Sequence, residues 1–196
     1  MFGLSGMRFT NHPVRVPYTE REASERLGEG LVALIPMDTK RPLVFVCIGT
    51  DRSTGDALGP LVGTRLQALG RNECVVYGTL DDPVHAVNLK DTLARVEVEY
   101  QSSFIIAIDA CLGQLNSVGI VSANKGPLKP GAGVNKDLPE VGHAHVTGIV
   151  NVSGFMEYFV LQNTRLAIVM RMADCIAEAI DYAMIRKAAY SPNVVN

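Results

Sequence analysis

The sequence predicts an α/β protein, a three-layer α/β/α sandwich around a mostly parallel sheet. Three observations carry that expectation. Leu43–Ile48 (LVFVCI) and Phe104–Ile108 (FIIAI) are unbroken apolar runs rich in β-branched residues, as suits strands covered on both faces. Each run is followed by a loop before the next regular element, and the order strand, loop, helix is clear after the first. From Leu166 to Ala188, apolar residues recur at helical spacing. A chain of 196 residues can bury a core of its own. The expected organisation is a loose N-terminal arm over 1–18, one α/β domain over 19–190 and a tail over 191–196.

The elements are justified in order. Thr19 followed by Glu22 is a capping-box pattern, and Ala23, Leu27, Leu31 and Leu34 continue it as a helix that Pro36 stops. Gly28 and Gly30 weaken that helix. After the first strand come the loop GTDRSTGDALG and a helix with Pro60 near its start and Gly70 past its end. Cys74–Thr79 reads as a strand, and a helix runs from Asn88 to about Arg95. Val118–Ser122 and Val146–Val152 are further strands, separated by the turn-rich stretch NKGPLKPGAGVNKDLPEVG. Ser153 and Thr164 each have the chemistry to cap a helix.

Composition removes several functional classes. Eighteen Lys and Arg against twenty Asp and Glu leave a formal charge of −2, so no overall basic field collects nucleic acid. Cys47, Cys74, Cys111 and Cys175 form no CxxC unit, which argues against a structural zinc. The N-terminus lacks the pattern of a signal peptide, and no apolar run is long enough to span a bilayer. The expected location is the cytoplasm. Neither GxGxxG nor GxxxxGK[ST] is present, Ser153 sits in NVSGF rather than GxSxG, and no cofactor is expected.

Ligands of open parallel sheets bind beyond the carboxyl ends of the strands. Asp56 and Asp51 lie in the loop after the first strand, and Asp109 directly follows FIIAI. Gly49, Gly55 and Gly59 surround Asp56 and would let backbone approach a partner closely. Asp56 suits a helix cap as well as a catalytic carboxylate. Cys111 is the cysteine nearest that rim. His143 and His145, in GHAHV, would share a face in an extended segment and are the weak candidates for a mixed N/O metal site with the two aspartates. His12 and His85 read as peripheral, and Lys125, Lys129 and Lys136 as a solvated loop edge able to meet an acidic peptide.

The segment FVCIGTDRSTGDALGPLVG, from Phe45 to Gly63, resembles the YyaC family of sporulation proteins of spore-forming Firmicutes. The resemblance continues through IDACLG, KGPLKPGAGV and HVTGIVNVSGFMEYFVLQNTRL, and it covers most of residues 40–190. That family is similar to the germination protease and more distantly to hydrogenase maturation proteases, which implies a phosphorylase/hydrolase-like fold. The germination protease carries aspartates in matching DALGP and IDA segments, which implies catalytic roles for Asp56 and Asp109, with Asp51, Gly55, Gly59 and Cys111 in support. In the hydrogenase group a histidine and the acidic positions bind nickel, and His143 or His145 would stand for that histidine. The related proteases favour Asn after the loop's first glycine, where this chain has Thr50.

The function so implied is a sporulation-related endopeptidase, acting in the cytoplasm, the forespore included, on a peptide or small spore protein. One carboxylate would activate water while the other, protonated, polarises the carbonyl. The alternative is a non-enzymatic peptide-binding or adaptor protein. The long C-terminal apolar stripe suggests a homodimer.

Overall fold

The computed structural model describes residues 13–36, 41–131 and 138–190. Its centre is a six-stranded sheet in the order β1-β5-β6-β4-β2-β3. The strands are β1 (Val14–Pro17), β2 (Leu43–Cys47), β3 (Cys74–Tyr77), β4 (Phe104–Gly113), β5 (Ile120–Lys125) and β6 (Ala144–Val152). The β2–β3, β2–β4 and β4–β6 pairs are parallel. The β1–β5 and β5–β6 pairs are antiparallel. The helices are α1 (Ala23–Leu34), α2 (Leu58–Ala68), α3 (Leu89–Glu99), α4 (Glu157–Gln162) and α5 (Leu166–Tyr190).

The expected α/β/α layering is present, with a mixed, mostly parallel sheet. LVFVCI and FIIAI are neighbours, paired from Leu43 opposite Phe104 to Cys47 opposite Ile108. Strand alternation splits their side chains between two cores. Phe45, Cys47, Ile106 and Ile108 join the core beneath α1, α2 and α5. Val44, Val46 and Ala107 join a smaller core with Leu89 and Val96 of α3, closed by Leu128 and Val141. Ion pairs from Arg65 to Asp174 and from Arg71 to Asp181 tie the neighbourhood of α2 to α5.

Several expectations are corrected. Val14–Pro17 is an edge strand registered on β5, so these residues belong to the sheet and not to an arm over 1–18. The stretch is only four residues long, but Val14 and Val16 both face the core, and Val16 is wholly buried. Residues 1–12 and 191–196 lie outside the described residues.

The capping box at Thr19 does not form, since the cap position is Glu22 and it makes no side-chain cap bond. Gly28 and Gly30 permit close approach. A Cβ on Gly28 would lie 2.6 Å from the Tyr182 ring, and one on Gly30 would lie 2.5 Å from Val14 Cγ2. Gly70 does fall just past α2 with a φ of 63°, as a C-terminal glycine should. The Thr164 hydroxyl donates back to the Val160 carbonyl instead of capping α5. No helix among the described residues is long and apolar enough to cross a membrane.

Candidate active site

Asp109 marks the point where the sheet changes length. The sequence places it just beyond a strand, but β4 runs on to Gly113 because β6 accompanies it to Val152, whereas β2 stops at Cys47. Asp109 therefore sits one position past the last β2–β4 pair, on a strand that continues. A rigid strand thus sets its position, where a loop was expected. The irregularity between Cys111 and Leu112 bends the overrunning part.

The loop after β2 folds back over this step. The Ile48 amide donates to the Ile108 carbonyl at 2.7 Å, and the Gly49 amide to Val84 at 2.8 Å. The Thr50 amide donates to the Asp56 carbonyl at 3.1 Å, closing the loop on itself. Asp56 is the middle residue of a 3₁₀ turn, Gly55–Ala57, that leads straight into α2. The cap positions are Thr54 and Ala57, and neither makes a side-chain cap bond. Asp56 is therefore not the helix cap.

The glycines of this loop serve packing. A Cβ on Gly49 would stand 1.9 Å from the Asp56 carbonyl oxygen, and one on Gly59 would stand 2.1 Å from that of Ile48. A Cβ on Gly55 would meet Leu161 of α4 at 2.7 Å. Gly55 and Gly59 thus fix where Asp56 lies. Asp51 is exposed. Ser53 is buried, with a hydroxyl that has no hydrogen-bond partner among the described residues.

The electrostatics of Asp109 are unusual for a carboxyl group. It is half-buried, and its Oδ1 accepts from the Ala110 amide at 2.8 Å. Burial pushes its pKa up to about 8, the Ala110 bond opposes the rise, and the negative charge of Asp56 adds to it. At neutral pH the protonated form therefore predominates. Cys111, two residues on, is pushed up to about 11 by burial and then by the Asp109 charge, while Thr147 and Arg15 oppose the rise. Its thiol stays protonated and is a poor nucleophile.

Asp109 belongs to a polar row that the sequence reading missed. Cross-strand pairing sets Asp109 beside Thr147, Thr147 beside Ser122, and Ser122 beside Arg15, one residue on each of four strands. The Thr147 and Ser122 hydroxyls are 2.9 Å apart, and Asn124 Nδ2 donates to Ser122 at 3.4 Å. Residues 107 and 109 share a face of β4, so this row continues the α3-side face. The alternation of VSAN in β5 and AHVTG in β6 is the signal that could have found it.

The histidines serve elsewhere. The Ile105 amide donates to His143 Nδ1 at 3.1 Å, and the His143 ring stacks on Phe104 with centroids 5.1 Å apart. The His145 ring nitrogen lies 2.9 Å from the Gly126 carbonyl oxygen, and the residue pairs with Ala107, one step back from Asp109 on the same face. Both are engaged toward the amino end of β6. Among the described residues no group of three or more His, Cys, Asp and Glu could hold a metal ion. Lys129 pairs with Glu140 at 3.0 Å, and Lys136 lies outside the described residues.

Fold and site together define an α/β protein with an acidic step at the carboxyl end of its central strands. The chain belongs to the family described as protein of unknown function (DUF1256), which matches residues 15–179. It is 55% identical over 165 residues to the uncharacterized protein YyaC of Bacillus subtilis (strain 168), covering 84% of this chain and 80% of that one. The crystal structure of a NiFe hydrogenase maturation protease, HycI from Thermococcus kodakarensis KOD1, aligns with a TM-score of 0.45 at 15% identity, over 71% of this chain and 92% of that one.

Proposed function

We propose that this protein is a sporulation-related endopeptidase in which Asp56 and Asp109 act as a general base and a general acid. The observation that carries the reading is Asp109. A half-buried carboxyl beside an acidic loop, protonated at neutral pH, is the state a general acid needs. The polar row from Asp109 to Arg15 gives an extended substrate a surface of hydroxyl and amide partners.

In the step proposed, Asp56 takes a proton from water as its oxygen attacks the scissile carbonyl carbon. Asp109 donates its proton to the carbonyl oxygen as that oxygen gains charge. Collapse of the tetrahedral intermediate breaks the C–N bond, and the leaving nitrogen receives the proton held on Asp56. Asp109 is reprotonated from the carbonyl hydroxyl, so the pair ends as it began. The substrate is a peptide or small spore protein met in the cytoplasm of the spore-forming cell, the forespore included. The phosphorylase/hydrolase-like fold assignment belongs to the same reading.

The test is incubation of the purified chain with a spore-protein extract and N-terminal identification of fragments. Wild type should give defined new N-termini, and Asp56→Asn and Asp109→Asn should each lower their rate of appearance at least ~100-fold. No fragments from the wild type, or equal cleavage by the folded double variant, would contradict the proposal.

A further inference from the structure

The described surface carries one concentrated apolar area. Phe155 is 87% exposed, Met156 58%, Tyr158 66% and Phe159 56%, all within five residues of chain. Leu166 and Met170 follow on the first two turns of α5 at i, i+4 spacing, so they share a helix face. Leu69, Val87, Val98 and Leu115 are scattered over other parts of the chain, and Ile185 lies about four turns further along α5. Single exposed apolar residues are ordinary, whereas a cluster of this size marks an interaction surface.

Met156 supports the reading. It holds a φ of 55°, in the left-handed region that a non-glycine side chain resists, at the entry to α4. Ser153 was expected to start that helix, yet it begins only at Glu157, and Ser153 Oγ instead donates to the Gly113 carbonyl at 3.3 Å. The chain thus keeps a strained turn whose neighbours Phe155 and Met156 are turned to solvent.

We infer that this face, Phe155–Phe159 with Leu166 and Met170, is the interface through which two copies of the chain form a homodimer. The six side chains expose roughly 700 Å², taking about 150–250 Å² for a large side chain, close to the ~800 Å² that each partner contributes to a standard interface. A two-fold axis brings such a surface against itself. Glu157 within the patch and Arg165 and Arg171 beside it supply both signs of charge, so a two-fold pairing can set the acid of one copy near a base of the other. Of the α5 apolar stripe that first suggested a dimer, only Leu166 and Met170 belong to this face. Ala173, Ile176, Ala177, Ile180 and Ala183 are buried in the protein's own core with α1 and α2. Leu161, on the inner side of α4, packs on Gly55, so the dimer also braces the turn that carries Asp56.

The experiment is sedimentation equilibrium of the full chain over 1–100 µM, with far-UV circular dichroism on the same samples. Wild type should sediment at twice the chain mass of 21.1 kDa. Phe155→Ser with Phe159→Ser should raise the dissociation constant at least ~100-fold, as loss of two aromatic anchors does, with an unchanged spectrum. Tyr158→Arg, a fully surface change, should do the same if the double variant folds poorly. Val87→Ser with Val98→Ser should stay dimeric. A wild type of single-chain mass throughout overturns the inference, including one that binds lipid vesicles instead. Dimers that persist in folded patch variants overturn it as well.

Discussion

The two halves of the sheet follow different rules. β2, β3 and the first half of β4 are parallel, apolar and covered by helices on both faces. β1, β5, β6 and the second half of β4 include the antiparallel pairs and carry polar residues on the α3-side face, from Arg15 through Ser122 and Thr147 to Asp109. In a parallel half, both faces must be buried and sequence reduces to an apolar run. In the half that carries the antiparallel pairs, one face is released from that demand and holds polar residues. Asp109 stands at the boundary, half-buried, with enough burial to raise its pKa.

The largest expected effect breaks the boundary itself. Gly59→Ala places a methyl group where the Ile48 carbonyl oxygen already lies, with only 2.1 Å between them. The backbone must move, and the loss should reach about 3–5 kcal/mol, at the severe end for point changes. Chemical denaturation would measure it. A loss under 1 kcal/mol would mean that the loop does not depend on that contact.

The next effect has the opposite sign. Asp109 binds its proton more tightly folded than unfolded, since its pKa of about 8 lies above the ordinary 3.8. Between those values the folded state holds the extra proton, so this group's contribution to stability falls as pH rises from about 4 to 8 and is flat above. Asp109→Asn removes that dependence. It should stabilise the protein by roughly 1–3 kcal/mol at pH 8, after allowance for partial exposure, and much less at pH 5. Thermal melts at the two pH values read the difference. Equal shifts at both would place the coupling elsewhere.

A smaller effect sharpens the comparison on the polar face. Cys111→Ser should change any peptide cleavage by only a few fold, because a thiol with a pKa near 11 is no nucleophile at neutral pH. Iodoacetamide should label Cys111 slowly for the same reason, which mass spectrometry can follow. A loss of ~1,000-fold would make the thiol a reacting group. His143→Ala should have the smallest effect on cleavage. Its ring accepts the Ile105 amide toward the far end of β6, so its loss is felt in local stability, at about 1 kcal/mol.

The same contrast explains how much was legible. LVFVCI and FIIAI could be read because full burial leaves one signal, continuous apolarity, and their pairing followed from it. The loop GTDRSTGDALG stands out as a candidate site because Asp56 lies among glycines, although Gly55 and Gly59 pack against Leu161 and Ile48. The overrun of β4 was not legible, since DACLG pairs only with a strand more than thirty positions away. Ser122 and Thr147 carry no motif, and only register makes them neighbours. β1 was lost because VRVP is too short for its period of two to stand out. The late start of α4 depends on a left-handed Met156 that no propensity anticipates.

The most direct test of the account is the titration of Asp109 itself. Carboxyl carbon chemical shifts of the labelled protein, followed from pH 4 to pH 10, should show one aspartate titrating near 8. Asp109→Asn should remove that transition. Asp56→Asn should keep it but move it to lower pH, because the Asp56 charge is one of the causes that raise it. An Asp109 that titrates near 4, or one whose midpoint is unmoved by Asp56→Asn, would contradict the claim that these two carboxyl groups act on one another at the step in the sheet.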